Sequence, residues 1–174
     1  MKSRTQVILV IMNVLAWLVF VGLMIKAGAI LISYGVSFKN PAGAKNLYMG
    51  WDLYNLSQSD FGHYTGMVLM TVAVVVLEAY TAYLVTSILS KIKMTKPFTM
   101  EVAKMMEKIS YFILLIWVAA LLHNAHASWL SKTFPGLQEN LISLDFIFMG
   151  GVVFVIAQIF KRGVEIQTEN ELTV

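Results

Sequence analysis

Four long apolar runs divide this chain, with polar stretches between them and a charged tail after the last. A membrane-crossing helix needs about 20 apolar residues at about 1.5 Å rise each. The pattern therefore predicts spans at about 7–33, 64–90, 109–130 and 141–160, followed by a polar tail over 161–174. The expected fold is all-α: a single integral-membrane domain, 1–174, built as an antiparallel bundle of four transmembrane helices. The second run, Gly66 to Leu89, carries a single charge, Glu78, near its middle. The first is broken only by Asn13 and Lys26. Ala27-Gly28-Ala29 resembles a signal-peptide cleavage site, but the 19 apolar residues from Val7 to Ile25 exceed the roughly 7–15 of a signal core, so we read a retained span.

The connecting segments predict less regular structure. Between the first two spans, Leu47, Trp51 and Tyr54 recur at i, i+4 and i+7. They fit a short helix lying on the membrane surface as well as they fit a loop with interfacial aromatics. After the second span, Pro97 marks a break and Met100 begins a helix that continues into the third span. Thr99 with Val102 three residues on supplies half of a capping signal. Phe134-Pro135-Gly136 reads as a turn, and Gly150-Gly151 as a place where another helix packs closely.

Composition agrees with the pattern: 58% of the residues are hydrophobic and 13% charged, against about 25% charged in ordinary soluble domains. The absence of cysteine excludes disulfides and thiolate metal sites. The eleven methionines are scattered and read as packing. Charge placement sets an expected orientation. Lys2, Arg4, Lys91, Lys93, Lys96, Lys104, Lys108, Lys161 and Arg162, nine in all, fall on one side of a four-span topology; Lys26, Lys39, Lys45 and Lys132 fall on the other. Because Lys and Arg accumulate on the cytoplasmic side, both termini are expected in the cytoplasm. The basic middle loop suits anionic lipid, and direct nucleic-acid binding is not expected of so short a patch lying against a membrane.

Candidate chemistry is confined to a few polar residues. Glu78, with Asn13 and Lys26, forms the intramembrane polar set. A mid-membrane carboxylate ordinarily faces other helices and needs a partner; Asn13, Tyr80 and Tyr83 are the expected partners, with no second charge at its depth. Lys26 is expected to pair with Asp145 or to extend to the interface. His123 and His126 share a helix face at i, i+3, and His63 and Asp145 are expected near the same membrane face. These four could ligate Zn²⁺ or another divalent ion, against the plainer reading of interfacial groups bonded to one another and to water. We read Glu78 as a link between this outer cluster and the tail rather than as a site. No nucleophile–base set, Gly-rich phosphate loop or redox site is present, so no enzyme activity and no obligate cofactor are expected.

Lys96-Pro97-Phe98 and the ending Arg162-Gly163-Val164-Glu165-Ile166-Gln167-Thr168-Glu169-Asn170-Glu171-Leu172-Thr173-Val174 resemble the corresponding elements of the bacterial four-span membrane proteins of the DUF2975 family. The resemblance implies a bacterial inner membrane and a small cytoplasmic helix-turn-helix regulator as partner. It implies no enzymatic activity. On that basis Arg162, Glu165, Glu169, Asn170 and Leu172 are the expected partner-docking residues. The functional expectation is a regulatory or sensory membrane protein that engages a cytoplasmic partner through its middle loop and tail. A small homo-oligomeric transporter or divalent-ion-binding protein is the first alternative, and an immunity or structural membrane protein the second.

Overall fold

The computed structural model describes residues 4–92, 98–137 and 139–172, with side chains to residue 169. Among the described residues there is no strand. The helices are α1 (Arg4–Ser37), α2 (Tyr54–Ser59), α3 (Phe61–Lys91), α4 (Met100–Thr133) and α5 (Ile147–Leu172), with a 3₁₀ turn at Pro41–Lys45. α1, α3, α4 and α5 are each long and apolar enough to cross a membrane. The protein is an all-α integral membrane protein. Its helices also say what solvent they need: none of the most apolar window of α1 is buried within the chain, against 44% of that of α3. Ile8, Ile11, Leu15 and Leu18 on α1 are all exposed. Water around such a surface would be strongly unfavourable, and lipid is not.

The helices contribute to two compact units, each with its own core. The first comprises residues 1–20, 80–115 and 145–174. Leu84, Ile88, Val102 and Ile109 form its centre, with Phe112, Ile113, Val153 and Phe160 packed against them. Thr99 caps α4, its Oγ1 accepting the Val102 N–H at 3.3 Å, so the half signal in the sequence is used. Phe98 then packs on Phe160 of α5, ring centroids 4.9 Å apart. A Cβ at Gly163 would meet the Phe98 ring at 3.3 Å. Lys161 Nζ donates to both oxygens of Glu107, at 2.8 and 2.7 Å, tying α5 to α4. The Asn13 amide, an expected partner of Glu78, donates to the Thr86 carbonyl at 3.2 Å and to Ser90 Oγ at 3.1 Å. Tyr80 is likewise engaged elsewhere, its hydroxyl accepting from Lys108 Nζ at 2.7 Å.

The second unit comprises residues 21–79 and 116–144. Its core, which includes Ile30, Leu47, Leu53, Leu56, Tyr64, Val68 and Leu130, draws heavily on the connection between α1 and α3. Of the two readings of residues 47–54, helix and loop, the structure takes the loop. Met49 and Gly50 take φ values of 48° and 87°, a left-handed turn that no helix tolerates. The Leu47 N–H donates to the Trp51 carbonyl at 2.9 Å across that turn, and Leu47 points inward rather than along a membrane surface. The 3₁₀ turn is capped by Asn40, whose Oδ1 accepts the Ala42 N–H at 3.1 Å. Gly43 is fixed by space: a Cβ there would lie 3.0 Å from the backbone of Ser33 and Ser37. Asp60 caps α3, its Oδ1 accepting the His63 N–H at 2.9 Å. That backbone bond holds the Asp60 carboxyl below its ordinary value, with burial opposing it and the His63 charge adding to it.

The fourth span also differs from its expectation. α5 begins at Ile147, and residues 139–144 are irregular although Leu141, Ile142 and Leu144 are apolar. The cause is a tie described below, which takes the backbone groups of Ile142 out of any helix.

The adjacent glycines of α5 separate close packing from propensity. A Cβ on Gly150 would meet Ile113 Cγ2 at 2.8 Å, on a branched side chain with little freedom, whereas Gly151 has nothing within 4 Å. We expect Gly150→Ala to destabilise the protein by about 1–3 kcal/mol and Gly151→Ala to be neutral or stabilising by roughly 0.5–1 kcal/mol; thermal unfolding in detergent checks the opposite signs. For Asp60, whose folded-state value is depressed, the stabilising contribution is present above the unfolded carboxylate range and is lost as pH falls through the folded one. Asp60→Ala is therefore expected to lower the thermal midpoint at pH 7 and to flatten its acid limb below about pH 4 relative to the parent.

Candidate functional site

Thr71, Val74, Val75 and Glu78 recur at i, i+3, i+4 and i+7 and so share one face of α3. Lys26 and Ile30, an i, i+4 pair on α1, line the same space, as does His123 from α4. The remaining walls come from two connections, Tyr48–Trp51 and Glu139–Ser143. Together they enclose a cavity of about 550 Å³, all of it within the second unit. Two opposite charges on membrane-length helices, Lys26 and Glu78, line it, and Glu139 adds a third charge from a connection. Glu78 thus shares its cavity with a second charge on a membrane-length helix, where none was expected at its depth. Sequence spacing could not disclose the pairing, because it depends on how α1 lies against α3.

His123 is fully buried, with Nε2 3.0 Å from Thr71 Oγ1 and Nδ1 3.3 Å from Asn124 Oδ1. Asn124 in turn holds a wall of the cavity. Its Nδ2 donates to the Ile142 carbonyl at 2.8 Å, and its Oδ1 accepts the Ile142 N–H at 2.9 Å. This two-point bond satisfies both backbone groups of a residue that would otherwise continue a helix. Glu139 is fixed nearby, accepting from Ser131 Oγ at 2.6 Å. The sequence offered Asn124 only as one more polar residue in a span. Trp51, on the opposite connection, has a buried indole N–H with no hydrogen-bond acceptor among the described residues.

Of the four candidate metal ligands, His63 and His126 come together. His126 Nε2 lies 3.2 Å from His63 Nδ1, and both rings pack against Trp129. His63 lies 3.9 Å from Asp60. His123 Nε2 instead faces Thr71 Oγ1. Among the described residues no group of three or more His, Asp or Glu side chains is arranged to hold a metal ion. The i, i+3 spacing placed His123 and His126 on one helix face, but residues on one face can still serve different neighbours.

The predicted docking residues lie on the final turns of α5. Arg162 Nη1 bonds Glu165 Oε2 at 2.8 Å on an exposed surface, and Glu169 adds to the field at Arg162. The side chains of Asn170 and Leu172, and the residues Lys96 and Pro97, lie outside the described residues.

An all-α chain with four membrane-length helices, a cavity lined by three of them and a helical charged tail defines a multi-pass membrane protein. Residues 39–174 match the family described as a protein of unknown function (DUF2975), and the chain belongs to that family. No curated protein and no solved structure matches the chain.

Replacing Asn124 with leucine keeps the volume and removes both bonds to Ile142. We expect a loss of about 1–3 kcal/mol, because two backbone groups are left unpaired, and faster amide exchange at Ile142 with protection of the α3 core unchanged. Hydrogen exchange by mass spectrometry checks both.

Proposed function

We propose that this protein is a sensory or regulatory component of the bacterial inner membrane, with the cavity as its receptive site. The carrying observation is that cavity: a space of about 550 Å³ lined by two opposite charges contributed by membrane-length helices. Charges in such helices are expensive and ordinarily serve a pathway or a ligand. The nine-to-four bias of basic residues supports cytoplasmic termini. In that orientation the connections that wall the cavity lie on the outer side and the end of α5 projects into the cytoplasm. Its exposed Arg162 and Glu165 offer a charged helical surface to a cytoplasmic protein partner. Ligand occupancy outside would then be reported to a partner inside.

Comparative capture tests the partner half. Full-length protein is expected to retain a cytoplasmic partner that is lost on truncation after Val164, which spares the Gly163–Phe98 packing. An unchanged set of captured proteins would remove the regulatory reading.

A further inference from the structure

Two features of the cavity restrict what it receives. Lys26 and Glu78 both line it, yet among the described residues neither side chain makes a hydrogen bond or an ion pair within 4.0 Å. Both are half-buried, and opposite charges drawn partly out of water stabilise the fold only when each has a close partner. These two stand across a space instead of closing on each other. The other acidic group in the lining, Glu139, is already engaged by Ser131. Glu139 keeps its charge but is exposed to solvent, so the half-buried charges are one positive and one negative, a set that matches a ligand carrying one of each.

We propose that this cavity binds a small zwitterion, whose anionic group meets Lys26 and whose ammonium group meets Glu78. The proposal rests on the reading of the cavity as the receptive site and adds the chemical class of its ligand. Ile30, Val74 and Val75 supply an apolar surface for the ligand's carbon skeleton. The volume falls within the roughly 300–1,000 Å³ of small-molecule sites. Two sources carry this chemistry: a free amino acid or similar zwitterion from the aqueous side, and the headgroup of a zwitterionic phospholipid from the bilayer. Both place an ammonium a few atoms from an acidic oxygen.

The test uses delipidated full-length protein in detergent. L-Leucine and glycerophosphoethanolamine are the soluble probes, with isovalerate and isoamylamine as analogues bearing one charge each. A parallel arm measures retention of dioleoyl-phosphatidylethanolamine against dioleoyl-phosphatidylglycerol by native mass spectrometry. Expected is a rise in thermal midpoint with a zwitterionic probe and none with the single-charge analogues, or at least fivefold preferential retention of the ethanolamine lipid. The first result assigns a free ligand and the second a lipid headgroup. In either case Lys26→Met and Glu78→Gln each weaken binding at least tenfold. Val75→Phe, which keeps both charges and fills the space, removes binding as well and covers the event that a charge variant fails to fold. The proposal is overturned if neither zwitterionic class binds in preference to its control, or if binding survives all three substitutions. Zwitterion binding with an unchanged set of captured partners would keep this site and remove the regulatory reading. The reverse pair of results would keep that reading and remove the ligand class.

Discussion

Hydrocarbon cannot hydrogen-bond, and that constraint governs what this chain does with every polar group it carries into its long helices. Backbone groups are satisfied by helix formation itself. Side chains must find partners one at a time. Asn13 reaches the Thr86 carbonyl and Ser90, His123 lies between Thr71 and Asn124, and Lys161 closes on Glu107. Lys26 and Glu78 are the departure from this economy, two opposite charges facing a shared space without contact.

Irregular backbone obeys the same constraint. The connection between α1 and α3 is folded into a core with Leu47, Leu53 and Leu56 inside it. Asn40 caps its 3₁₀ turn and Asp60 caps the helix that follows. The segment before α5 is apolar but not helical, and it is tolerated because Asn124 supplies both bonds that Ile142 would have made in a helix. The second unit is thus as much a product of its connections as of its long helices. The first unit depends instead on close approach of helices, at Gly150 against Ile113 and at Gly163 against Phe98.

The four long helices were legible because length and hydropathy are properties of contiguous sequence. The places where the sequence misled share a different origin. Leu47, Trp51 and Tyr54 have helical spacing, but the left-handed backbone at Met49 and Gly50 interrupts it, and a methionine gives no warning of that conformation. The start of α5 was placed early because Leu141 and Ile142 look like the start of a span; the residue that forbids it, Asn124, lies 18 positions away. The histidines looked like ligands of one ion because spacing reports a shared face and not a shared neighbour. The charged pair of the cavity was invisible for the same reason: Lys26 and Glu78 are brought together by tertiary packing alone.

α1 carries a further consequence. Its 34 residues amount to about 51 Å of helix, against about 30 Å of hydrocarbon in a typical bilayer. Its most apolar window finds no cover within the chain. A hydrophobic stretch longer than the hydrocarbon layer is accommodated by tilting, by kinking or by local thickening of the bilayer. Lys26 sits on this helix, so the position of one cavity charge is set partly by the membrane. The bilayer acts here as a structural component, and its thickness is a variable to which the cavity is mechanically exposed.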